Sequence, residues 1–384
     1  MSRPAVPERV IRNARIVAGD EVLVGCALVR DGLIGAVDRG GTSVTAAEDW
    51  SGDWLLPGLV ELHTDNLEKH LVPRPGVLWN AHSAMVAHDT QCAAAGITTV
   101  LDAVVIGDMD RGGSRSRTQH AAIAALHECR NAHLLRVEHR LHLRCEVSAA
   151  DVVPVFERYL SDPLLTLASV MDHTPGQRQW REMSKYRRYA ERHGSLGDAE
   201  FATLIARLQD EQRQHADGHR AAIVAAARAQ NVPLASHDDT EVEHVQQAHD
   251  EGVTLAEFPT TVAAAQAARA AGIGIIMGGP NLVNGGSHSG NVSADELAQR
   301  DLLDVMSSDY VPASLLQSAF LLHERCAWSM PKAIATVSRN PARAVGFVDR
   351  GEIAPGLRAD VIRVRKSGGM PIVLETYCAG RRAV

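Results

Sequence analysis

Aromatic side chains make up only 4% of this 384-residue chain, too few for the stacking platforms with which proteins grip single-stranded nucleic acid. Excess positive charge is missing too. The formal net charge of -7 argues against a nucleic-acid scaffold, although local basic clusters can still hold an acidic small molecule. The six cysteines, Cys26, Cys92, Cys129, Cys145, Cys326 and Cys378, show no CxxC spacing, which fits free or buried thiols in a reducing compartment rather than a disulfide scaffold. No run approaches the roughly 20 apolar residues of a membrane span. Residues 1–10 carry three charges and two prolines without an apolar centre, unlike a secretory signal. A soluble, cytoplasmic protein is expected, with neither nucleic acid nor membrane as partner.

What is present is enough apolar material, 45% of the residues, for a large core: a barrel of about 250 residues with an accessory domain. Residues 9–57 alternate short apolar runs with turns at Gly19-Asp20, Asp31-Gly32 and Gly40-Gly41, the pattern of a small β-sheet. Ala359–Val364 and Ile372–Leu374 read the same way, so the two ends are expected to pair. A composite β-sandwich of residues 1–57 and 345–384 then flanks a barrel over 58–344. Within the latter, eight segments read as strands ending in polar residues: 59–62, 98–102, 140–146, 167–173, 233–239, 254–258, 274–278 and 303–309. Helical patterns such as 118–129, 198–230, 262–271 and 313–323 separate them. Eight strand-helix units predict an α/β fold, a (β/α)8 barrel with its chemistry at the carboxyl ends of the strands.

The chemistry-bearing residues fall at those ends. His63 and Asp65 lie two apart after an apolar run, which on a strand places them on one side. Glu146, His173, His237 and Asp309 close four other segments. Singly each has a bland reading: His173 could cap a turn, His237 could pair with Asp238, and Glu146 could meet Arg144 or Arg140. Together they form a set of imidazoles and carboxylates that suits divalent zinc, manganese or iron. Six groups favour two ions, with Glu146 between them, and Asp309 suits a ligand that also takes a proton from the attacking water.

This set resembles the amidohydrolase superfamily, and the β-domain shared by both termini is similar to it as well. Glu61–His70, Met171–Gln179, Gly286–Asn291 and Ser307–Ser314 look more specifically like the bacterial ribose 1-methylphosphonate 5-triphosphate diphosphatase family of the carbon-phosphorus lyase pathway. That resemblance implies hydrolysis of a ribosyl triphosphate, with metal-activated hydroxide attacking the α-phosphorus and diphosphate leaving. One position departs from the family pattern: Asn284 stands where an arginine is expected before the Gly-Gly-Ser-His-Ser-Gly run.

A triphosphate brings about four negative charges, which calls for basic side chains and backbone donors beside the metals. Lys69, His70 and Arg74 after the first strand are candidates, as are Arg178 and Lys185 after His173. Ser287 and His288 belong to a glycine-rich stretch, 285–291, that is expected to form an anion nest, and Asn281 just before it is a further substrate-binding candidate. Arg187 to Arg192 reads as a solvated helix face, and Arg111 to Arg117 as a lid or an exposed loop. Two other functions stay open on the residues alone: a hydrolase of a cyclic amide or N-acetyl sugar, and a non-catalytic scaffold. A homo-oligomer is compatible with either.

Overall fold

The computed structural model describes residues 6–107, 114–191, 196–287 and 290–384. Its strands fall into two sheets. The first gathers both ends of the chain: β1 (Arg9–Ala18), β2 (Glu21–Arg30), β3 (Leu33–Arg39), β4 (Glu48–Asp49) and β5 (Trp54–Pro57). These are joined by three strands from the carboxyl end, which are labelled below after the barrel strands. Alternation of apolar and polar residues gives this sheet one buried face, where Ile11, Ile16, Leu55, Trp50, Val361 and Tyr377 form a core of their own.

The second sheet is the barrel: β6 (Leu59–Thr64), β7 (Ile97–Ile106), β8 (Glu138–Glu146), β9 (Leu165–Met171), β10 (Leu234–His237), β11 (Leu255–Glu257), β12 (Gly274–Gly278) and β13 (Val305–Ser307). Neighbours in this order pair in parallel. The circle closes where Thr64 bridges Asp309. Then follow β14 (Val361–Ser367), β15 (Met370–Cys378) and β16 (Arg381–Arg382); β14 pairs antiparallel with β5, so the terminal strands hydrogen-bond into one sheet. Among the described residues no helix is long and apolar enough to cross a membrane.

Parallel strands buried on both faces need apolar residues on both. Val60, Leu62, Leu101, Leu167, Ala235, Leu255, Ile276 and Val305 fill the barrel interior, and a larger layer packs the outside against the helices. Sequence periodicity located the helices 198–229, 262–270 and 314–325 within a few residues. It passed over 81–94, whose apolar and polar residues show no helical stripe because His88 and Asp89 are buried in it beside Met85 and Cys92. The interruption in β6 has a consequence for chemistry. Pairing with β7 shifts between Glu61 and Thr64, and such a bulge re-aims the side chains beyond it. The Glu61 carboxylate takes up the spare backbone donors, accepting from the N–H of His63 at 2.7 Å and of Ser308 at 2.5 Å.

Candidate active site

Six strand ends open onto one cavity of about 780 Å³, whose floor carries His63, Asp65, Arg144, His237, Asp238 and Asp309. His173 lines it from the segment after β9, and Trp180, Tyr189, Phe258 and Tyr310 form part of the wall. The chain leaves three of these strands through left-handed residues, Asp238 (φ 56°), Phe258 (φ 56°) and Asp309 (φ 53°). Such a backbone costs a non-glycine residue about 1 kcal/mol or more. Its persistence at three strand ends marks the rim as a place where side-chain direction matters.

Behind the histidines stands a layer of buried carboxylates. Glu146 faces the Nδ1 of His173 at 2.8 Å and also accepts from the His173 N–H at 3.1 Å and the Ser148 hydroxyl at 3.0 Å. Glu257 faces the Nδ1 of His63 at 2.8 Å and of His237 at 3.1 Å. Burial alone would favour the neutral acid, but the imidazoles of His63 and His142 beside it hold Glu257 well below the usual carboxylate range. At Glu61 burial outweighs the hydrogen bonds from Ser308 and His63 and the nearby His63 ring, and pushes it up to about 7.

With each Nδ1 engaged, the Nε2 atoms are left for the cavity. The Asp238 Oδ2 atom is buried and has no hydrogen-bond partner among the described residues. It lies 3.6 Å from the Nε2 of His173 and 3.6 Å from that of His237, too far for a hydrogen bond. Leaving a buried carboxylate oxygen unpaired is expensive. Two imidazole nitrogens and one orphaned oxygen converging on a common point make a donor set that fits a divalent cation. A second set lies across the floor, where the His63 Nε2 is 4.0 Å from Asp65 Oδ1 and Asp309 faces the same cavity.

Fixed positive charge comes from Arg144, buried on β8. Its Nη1 donates to Asp65 Oδ1 at 2.5 Å, and its Nε is buried without a hydrogen-bond partner among the described residues. Asp309 differs from the other floor carboxylates: burial, and then Asp65 nearby, push it up to about 6.

No family model matches the chain. Against curated proteins, the alpha-D-ribose 1-methylphosphonate 5-triphosphate diphosphatase of Escherichia coli K12 is 44% identical over 375 residues, 97% of this chain and 99% of that protein. The chain belongs to this diphosphatase family. Among solved structures, N-acetyl-D-glucosamine-6-phosphate deacetylase from Mycobacterium smegmatis, in a mutant form, superposes with a TM-score of 0.66 at 14% identity, covering 98% of this chain and 99% of that one. N-isopropylammelide isopropylaminohydrolase from Burkholderia multivorans gives 0.63 at 16% identity, covering 98% and 97%. These likenesses show the fold, an amidohydrolase-type barrel.

For a member of the diphosphatase family, the placement of the remaining residues singled out in the sequence is informative. Glu146, expected between two ions, stands behind His173 instead, spending both oxygens on hydrogen bonds. Arg178, expected on phosphate, is buried away from the cavity: it donates to the His237 carbonyl at 2.9 Å and pairs with Asp239. Lys69 is bound to the Tyr310 carbonyl and lies over the Tyr310 ring, His70 bonds Gln91 at 3.0 Å, and Arg74 sits in an exposed turn; none of the three lines the cavity. Lys185 pairs with Glu182 at 2.9 Å and reaches the loop beside Gly290.

Asn281, Asn284 and Ser287 do line the cavity. Asn281 clamps its own loop, donating to the Val292 carbonyl at 3.2 Å and accepting from the Ala294 N–H at 2.9 Å. The expected nest is partly spent, because the N–H groups of Gly285, Gly286 and Gly290 donate to the carbonyls of Leu282, Asn281 and Ser287. His288, Arg111 and Arg192 lie outside the described residues. Sequence reasoning missed Glu257, Asp238 and Arg144 as site groups. Each ends a strand that the pattern had located, and that position was the available signal.

Proposed function

We propose that the chain hydrolyses alpha-D-ribose 1-methylphosphonate 5-triphosphate to alpha-D-ribose 1-methylphosphonate 5-phosphate and diphosphate. The observation that carries this reading is the 44% identity that spans 97% of the chain and 99% of a diphosphatase. Residues 58–344 carry the chemistry, and the composite unit of 1–57 and 345–384 supports it. His63, Asp65, His173, His237, Asp238 and Asp309 would hold two divalent ions, of zinc, manganese or iron. Bound there, such ions lower the pKa of water and neutralise charge on phosphate oxygens.

The chain's own groups account for the rest. Asp309, which follows the last barrel strand and lines the cavity, has the placement to accept the proton of the attacking water. Arg144, which lines the cavity, supplies a guanidinium charge for the phosphate chain. The wall of Trp180, Phe258 and Tyr310 lowers the polarity around the floor, which strengthens these charge interactions.

Hydrolysis in oxygen-18 water with added zinc, manganese or iron, read by phosphorus NMR and mass spectrometry, tests the proposal. Attack at the α-phosphorus leaves diphosphate unlabelled and puts the label in the sugar phosphate. Label in diphosphate would move attack to the β-phosphorus, and release of no diphosphate with any of the three metals would reject the reaction.

A further inference from the structure

Glu257 is fully buried at the end of β11, and its two oxygens are divided between two rings, Oε1 on the Nδ1 of His63 and Oε2 on the Nδ1 of His237. An ionised carboxylate only accepts hydrogen bonds, so the nitrogen facing each oxygen must carry the proton. A neutral imidazole holds one proton, which leaves the Nε2 of both rings with a lone pair toward the cavity. The two rings lie nearly parallel, 5.6 Å apart and 20° from coplanar orientation, as expected of side chains held by one planar group. A third imidazole does not compete. His142 keeps its Nδ1 at 2.9 Å from the Leu62 carbonyl and its Nε2 at 2.7 Å from the Ser169 hydroxyl, 3.8 Å from the nearer Glu257 oxygen.

We propose that Glu257 is a positioning residue that locks His63 and His237 together in the Nδ1–H tautomer, presenting one ring nitrogen from each donor set to the cavity at once. The consequence for metal binding rests on the reading of these histidines given above, whereas the tautomers belong to the metal-free chain. Glu257→Gln tests the point with almost no change of shape. An amide offers one acceptor oxygen and one donor nitrogen, so it satisfies one Nδ1–H and forces the other ring to accept at Nδ1. That ring then carries its proton on Nε2, where it cannot bind a cation.

The experiment is proton–nitrogen long-range correlation on histidine-labelled, metal-free protein, with the two rings assigned from His63→Gln and His237→Gln, followed by zinc titration against a competing chelator. At a pH high enough to leave both imidazoles neutral, both rings of the wild type should appear as Nδ1–H; in E257Q one should appear as Nε2–H, and zinc affinity should fall about 10- to 100-fold. An Nε2–H ring in the wild type overturns the proposal, and so does an E257Q protein with unchanged tautomers or wild-type zinc affinity. Should E257Q fail to fold, the wild-type spectrum decides. Expected tautomers in a wild type that binds no zinc would uphold the role of Glu257 and reject the metal reading instead.

Discussion

Arg144 donates to Asp65 across 2.5 Å at the floor of the cavity, so the carboxylate that lies 4.0 Å from the His63 Nε2 already shares its charge with a fixed cation. That cation competes with a metal for Asp65 and attracts phosphate, and its removal should move the two affinities in opposite directions. For Arg144→Met we expect zinc binding as tight as in the wild type or tighter. Inhibition by inorganic tripolyphosphate should weaken about 10- to 100-fold, the worth of one or two charged hydrogen bonds. Parallel loss of both affinities would show that Arg144 merely holds the floor together.

Asp238→Asn removes a buried carboxylate whose Oδ2 has no hydrogen-bond partner among the described residues. Without metal the variant should unfold at a lower temperature, because the His237 and His173 imidazoles hold the Asp238 carboxylate below its usual range and a neutral amide gives up that attraction. With metal it should bind zinc at least about 10-fold more weakly. Calorimetry on both forms is the check, and zinc affinity equal to that of the wild type would mean that Asp238 is only a structural partner of the histidines.

Arg178→Ala should act on stability. Arg178 is the charged partner of Asp239 in a buried pair, and removing one member of such a pair costs about 3–5 kcal/mol. The Ser236 hydroxyl, which also reaches Asp239, softens the loss. Urea unfolding should show the deficit while KM of the folded variant stays near that of the wild type; a raised KM at unchanged stability would return Arg178 to the substrate.

A pH-dependent element lies outside the cavity. Burial works against a charge on His139, but Asp102 at 2.8 Å and Asp89 at 3.3 Å outweigh it and push the group up to about 9. A raised imidazole contributes stability that is complete below about 6.5 and is lost as pH climbs through about 9. The loss over that window should be of the order of 3 kcal/mol. His173 is raised in the same direction, so the readout is the difference in slope between the wild type and His139→Asn, followed by urea unfolding from pH 6 to 10. Equal slopes would place the proton of His139 elsewhere.

The barrel was legible in the sequence because parallel strands leave a local record: short apolar runs, β-branched residues and polar ends, repeated eight times. Strand ends carry a barrel's chemistry, and that rule alone brought His63, Asp65, Glu146, His173, His237 and Asp309 into one list. The functions of the neighbouring residues left no local record. Arg144 and Arg178 look alike in sequence, and only the tertiary structure puts one guanidinium on the cavity floor and buries the other against Asp239. Glu257 follows an apolar run like any strand-end acid. It became the shared support of two histidines because the stagger of β11 against β6 and β10 brings its two oxygens within hydrogen-bond reach of both rings. The sequence determined which side chains stand at the strand ends; closure of the barrel, through the Thr64–Asp309 bridge, decided which of them meet, since contacts across a ring depend on strand register.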